Sequence, residues 1–145
     1  MRTTAIVAAY NEENTIADVL AALTRSPLID EVIVVSDGSE DRTVEIARSF
    51  EGVRTVALKE NHGKGFAMAV GVANASNDTL FFCDGDMYNV TDEHIAAQTS
   101  SGVVAVADEE VAPSDVARVH EVARAVVVPQ DREVLHVLPQ EYRVD

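Results

Sequence analysis

The chain has 145 residues, enough for one domain and little more. Apolar residues make up 47%, Trp is absent and aromatics are few, so a core must be built from Val, Ala, Ile and Leu. A formal charge of −14 argues against nonspecific binding to nucleic acid or an anionic membrane, and it means that any site for an anionic ligand needs local positive charge.

Thr4–Ala9 is an apolar, β-branched run and reads as a strand. In Asn14–Leu23, apolar residues at 16, 19, 20 and 23 have helical spacing. Glu31–Ser36, with four consecutive branched residues, reads as a buried strand, and Asp41–Phe50 as a helix. Val53–Leu58 and Thr79–Cys83 are further strands around a small-residue helix at Lys64–Ala75. A short helix is expected at Thr91–Gln98 and a fifth strand at Gly102–Ala107. Beyond it, Ser114–Ala125 has helical spacing, and Ala125–Val128 and Val134–Leu138 are short apolar runs bounded by Pro129 and Pro139. Continuous apolar strands separated by helices predict an α/β fold, Rossmann-like, with a mostly parallel central sheet and helices on both faces. Ligands of such sheets bind at the carboxyl ends of the strands, so the segments that follow each strand are the ones to search.

Asp84-Gly85-Asp86 follows a buried strand. Two carboxylates flanking a glycine can converge on a hard cation such as Mg²⁺ or Mn²⁺, which favours oxygen ligands and substrate phosphates. The alternative is an acidic turn that caps the next helix. Asp37-Gly38-Ser39 offers a carboxylate to a base N–H, or a helix cap from Ser39 or Asp41. Asn61-His62-Gly63-Lys64-Gly65 is the basic element, at a helix start whose amides favour phosphate; a Gly-rich turn with a solvated Lys64 is the simpler reading. It matches neither the dinucleotide fingerprint, since Met68 stands where glycine is needed, nor a Walker loop. Tyr10 can stack on a base, Asn11 can cap a helix, and Glu12 and Glu13 suit its first turn. His136, inside an apolar run, is either a structural histidine or a metal ligand reaching in from the C-terminal segment. Cys83 reads as a buried small hydrophobe. No apolar stretch resembles a signal peptide or a membrane span, and a cytoplasmic protein is expected.

The order of these motifs resembles family-two glycosyltransferases of the GT-A fold, close in flavour to dolichyl-phosphate-mannose and glucosyl-phosphoglycerate synthases. The resemblance runs from about Thr4 to about Ile95. It implies transfer of a sugar from a UDP- or GDP-linked donor to an unknown acceptor, with Mn²⁺ or Mg²⁺. It implies that Ala9, Tyr10 and Glu12 line the base pocket and that Asp37 contacts the base. Gly63 and Lys64 would lie near the diphosphate, Asp84 and Gly85 near the ribose or sugar, and Asp86 on the metal. Ser36 stands where the family more often has Asp.

Length is the larger departure. Relatives continue into an acceptor-binding half with a catalytic base, whereas 59 residues follow Asp86 here. Asp108 is the candidate base, and a solvated acidic turn with Glu109 and Glu110 is its alternative. The expectation is one compact domain over 1–145, with 1–98 the recognisable core and 99–145 a shortened C-terminal part. The shortness also suggests a homo-oligomer, or an incomplete nucleotide-sugar-binding module that needs a partner chain.

Overall fold

A computed structural model of the chain describes residues 2–77, 79–87, 90–99 and 105–106. The elements are β1 (Thr3–Ala9), α1 (Ile16–Arg25), β2 (Glu31–Ser36), α2 (Thr43–Arg48), β3 (Val53–Ala57), α3 (Lys64–Asn74), β4 (Thr79–Asp84), α4 (Asp92–Thr99) and β5 (Ala105–Val106). The sheet runs β3-β2-β1-β4-β5 and every pairing is parallel. This is the expected α/β architecture, and its strand order reverses between β1 and β4, the point where sheets of this kind form their ligand crevice.

Side-chain alternation along the strands divides the core in two. Ala5, Val7, Val32, Val34, Phe81 and Cys83 face one side, packed with α1, Ala47 of α2 and Ile95 of α4. Ile6, Ile33, Val35, Leu80 and Phe82 face the other, against Met68, Val70 and Val72 of α3. The strands are therefore apolar on both faces, which is why they read as continuous runs rather than alternating ones.

Local chemistry sets the helix bounds. The apolar positions of α1 (Ile16, Val19, Leu20 and Leu23) are all buried, each stabilising by about 1.5–3 kcal/mol. Truncating Leu20 to Ala would cost about 2–5 kcal/mol. The helix stops at Ser26, which is extended at ψ 127° because Pro27 follows. It starts at Ile16 rather than at 14, since residues 11–13 are tied elsewhere. α2 is shorter than the predicted 41–50: Asp41 Oδ1 accepts the Thr43 amide at 2.9 Å and so delays the first turn. In α3, a Cβ at Gly71 would run into Ile6 Cγ2, so glycine lets the helix lie close on β1.

Of the expected fifth strand, Ala105–Val106 is present and pairs with Phe81–Phe82. The elements expected at 114–138, together with Asp108, Glu109, Glu110 and His136, lie outside the described residues. Among the described residues, no helix is long and apolar enough to cross a membrane.

Candidate functional site

The carboxyl ends of β1, β2 and β4 bring the predicted loops to one edge of the sheet, with Ala8 of β1 in register with Asp84 of β4. Backbone bonds continue the sheet past its strands: the Asp37 amide donates to the Ala9 carbonyl (2.9 Å) and the Gly85 amide to the Ala8 carbonyl (3.1 Å). These bonds seat the Asp37 and Gly85 turns on either side of the end of β1. Tyr10 is 48% exposed there, with its ring available to solvent.

The 11–13 loop is held by the 39–43 loop. The Asn11 amide donates to Ser39 Oγ (3.0 Å), the Glu12 amide to Thr43 Oγ1 (2.8 Å) and the Glu13 amide to Asp41 Oδ2 (3.2 Å). Asn11 Oδ1 accepts the Glu40 amide at 2.9 Å, and Asn11 itself has φ 51°, a left-handed geometry that Asn tolerates. Asn11 thus braces a neighbouring loop rather than capping α1.

Asp37 is almost fully buried, and both of its carboxylate oxygens are engaged. Oδ1 accepts the His62 amide (2.8 Å), Oδ2 accepts the Gly63 amide (3.0 Å), and Asn61 Nδ2 donates to the Asp37 carbonyl (3.2 Å). Gly38 lies at φ 76°, where a Cβ would stand 2.7 Å from the Asn61 amide nitrogen and the Glu60 carbonyl carbon. Only glycine meets both the torsion and the backbone-to-backbone contact. The carboxylate, read from sequence as a base contact, is therefore also the anchor of the basic turn. Gly63, at φ 96°, leads into α3.

Lys64, the first residue of α3, pairs with Asp84 at the end of β4, Nζ to Oδ1 2.6 Å. Both side chains are partly open to solvent, at 37% and 28% exposure. Asp84 starts a turn closed by the Met87 amide donating to its carbonyl at 3.2 Å, and Asp86 is exposed on that turn. A Cβ at Gly85 would fall 2.9 Å from Ala9 Cβ and 3.0 Å from Glu12 Cγ, so glycine allows this turn to sit against β1. Ala9 is thus a buried packing partner of the turn.

Sequence reasoning missed Thr15, which nothing in a helical pattern marks out. Its hydroxyl donates to the Gly85 carbonyl (2.8 Å) and lies 3.2 Å from Glu12 Oε2, joining the start of α1 to the acidic turn. Burial raises the Glu12 carboxyl above its ordinary pKa of 4.5, the nearby charges of Asp86 and Asp84 add to the rise, and the Thr15 hydroxyl partly offsets it. Glu12 therefore shares the crevice with both aspartates. Among the described residues, no three His, Cys, Asp or Glu side chains form a ready-made metal cage. Asp84 and Asp86 still fit a hard divalent cation: both are oxygen donors on one turn, both are open to solvent, and Mg²⁺-type sites commonly take one or two carboxylates plus substrate phosphates.

The sequence model of glycosyl transferase family 2 matches residues 4–98. The chain belongs to this family. The family 2 match contains every loop of the crevice, from Tyr10 to Asp86. A second match, to the SHS2 domain inserted in FtsA, covers residues 92–145 and overlaps the first within α4. Among curated relatives, the dolichyl-phosphate beta-glucosyltransferase of Drosophila melanogaster is 41% identical over 96 residues, covering 56% of this chain and 29% of the fly protein. The cell division protein FtsA of Pseudomonas aeruginosa is 45% identical over 56 residues, covering 39% of this chain and 13% of FtsA. Among solved structures, glucosyl-3-phosphoglycerate synthase from Mycobacterium tuberculosis, in complex with Mn²⁺, UDP and glucosyl-3-phosphoglycerate, superposes with TM-score 0.60 at 29% identity. That similarity covers 68% of this chain and 38% of the synthase. The chain thus spans less than a third of the length of either curated relative, 29% and 13%.

Proposed function

We propose that this chain binds a nucleoside-diphosphate sugar with a divalent metal ion, as the donor-binding part of a metal-dependent glycosyl transfer. The observation that carries the reading is the Asp84–Asp86 turn, held against the end of β1 at the point where the strand order reverses and joined there by Lys64. The Mn²⁺ and UDP bound by the mycobacterial synthase support the ligand class. Asp86 and Asp84 are the groups that would hold Mn²⁺ or Mg²⁺. Bound there, the metal supplies charge neutralisation to a diphosphate leaving group. Lys64 and the amides at the start of α3 receive the phosphates. Tyr10 provides a stacking face for the base. Asp37 fixes the pocket wall through the His62 and Gly63 amides and keeps lone pairs for a base N–H.

Calorimetry of UDP- and GDP-sugars, with and without Mn²⁺, tests this reading. Metal-dependent uptake of one donor, lost in Asp86→Ala, is the expected result. Equal binding with and without metal would rule it out.

One observation favours a second reading, a binding module without transfer of its own. The family 2 match ends at 98, and Asp108, the candidate base, falls in the stretch that matches the SHS2 model. On that reading, residues 1–98 hold the donor and residues 99–145 belong to a second unit, with the acceptor side supplied by a partner chain or another copy. Donor binding without transfer or hydrolysis, and an oligomer or complex by light scattering, would be its signature.

A further inference from the structure

One of the two carboxylates proposed for the metal is already paired with a cation of the protein's own. Lys64 Nζ stands 2.6 Å from Asp84 Oδ1. We propose that Lys64 is the resident counter-ion of Asp84 and changes partner when donor and metal enter, moving from the carboxylate to the diphosphate. The proposal rests on the donor-binding reading above and adds a positioning role to it.

Three features support an exchange rather than a fixed strut. The backbone at Lys64 is fixed, because the two residues before it give their amides to the buried Asp37 carboxylate. Movement is therefore confined to the lysine side chain, a point charge on a flexible four-carbon stem. Next, the pair is open to water on both sides, at 37% and 28% exposure, so breaking it costs little. Finally, negative charge is concentrated here: the half-buried Glu12 feels the charges of both Asp86 and Asp84. The Lys64 ammonium neutralises one member of that group, Asp84. Asp84 and Asp86 would hold a divalent ion whose charge would replace that of the ammonium on Asp84, leaving Lys64 able to pair with a phosphate instead.

The test is calorimetry on the full chain with two probes, Mn²⁺ alone and UDP in saturating Mn²⁺. Lys64→Gln removes a competitor from Asp84, so Mn²⁺ alone should bind roughly three- to tenfold tighter than to wild type. UDP with Mn²⁺ should bind about tenfold weaker, because a charge-assisted phosphate contact is lost. Lys64→Arg should leave the Mn²⁺-only affinity close to wild type. Arg48→Gln, the same charge change at an exposed position on α2, controls for net charge and should leave both affinities unchanged. Opposite signs in the two arms support the exchange. A Lys64→Gln variant that is folded by circular dichroism and binds Mn²⁺ no tighter than wild type overturns it, even where UDP binding is intact. Wild-type protein that takes up no UDP with Mn²⁺ overturns the donor-binding reading, and this inference with it.

Discussion

The two ends of the sheet both carry buried or half-buried carboxylates, and they treat them in opposite ways. At the amino end, Glu31 accepts from the Thr4 hydroxyl (2.9 Å), the Ser76 amide (2.8 Å), the Ser76 hydroxyl (3.0 Å) and Arg54 (2.8 Å). Arg54 also donates to the Asn74 carbonyl at 3.0 Å, so the network ties β1, β2 and β3 to the end of α3. Burial alone would raise the Glu31 carboxyl, but the Ser76 amide, the Thr4 and Ser76 hydroxyls and Arg54 outweigh it and hold the pKa below 4.5. At the carboxyl end, Glu12 moves the other way, raised by burial and by Asp86 and Asp84. A carboxylate supplied with donors is part of the scaffold. A carboxylate raised by its acidic neighbours, one of which is paired with Lys64, is the arrangement the proposed cation would relieve.

Substitutions can break this contrast. Glu31→Ala should be the most damaging to stability, by about 3 kcal/mol in urea unfolding, because it strands Arg54 and several donors at once. Metal-dependent UDP affinity, read from the fraction that remains folded, should change little. Asp86→Ala should do the reverse: at least a thirtyfold loss of metal-dependent binding, about 2 kcal/mol, with a melting temperature at or above that of wild type. Equal effects of both variants on both measurements would erase the distinction between scaffold and site. Gly38→Ala should cost about 1–3 kcal/mol, since the torsion and the contact with residues 60–61 are both strained.

The pH dependence sharpens the same comparison, with smaller effects. Glu31 has a lowered folded pKa, so its contribution is present above 4.5 and is lost as the pH falls through the folded value. The stability gap between wild type and Glu31→Gln should therefore shrink in acid. Glu12 has a raised folded pKa, so its ionised form penalises the fold at neutral pH, and the penalty fades as the pH falls towards 4.5. Glu12→Gln should melt slightly higher than wild type at pH 7 and converge with it near pH 4.5. A Glu12→Gln variant that melts lower at pH 7 would mean that the crowding is not felt.

The carboxyl end was more legible in the sequence than the amino end. Each of its loops follows an apolar run directly, so strand and site residues are neighbours in the chain, and their order suffices to suggest the family. Glu31 sits at the start of a strand, and its partners come from positions 4, 54 and 76, separations no local pattern can bridge. The same limit hid the second task of Asp37, whose two amide partners lie 25 and 26 residues away. Thr15 was invisible because its partner, the Gly85 carbonyl, is 70 residues distant. The C-terminal third, expected as a shortened part of the same domain, lies almost wholly outside the described residues, and residues 92–145 match the SHS2 model. Spacing reports elements, not the family that a segment resembles.

Gly38 meets the backbone at residues 60–61 with no space for even one extra carbon. Two loops that touch main chain to main chain cannot lengthen independently. An insertion in the turn after β2 would push the lysine turn off its seat unless the stretch before α3 lengthened to match. Among relatives, the lengths of these two segments should therefore vary together, as a paired gap pattern in which neither changes alone.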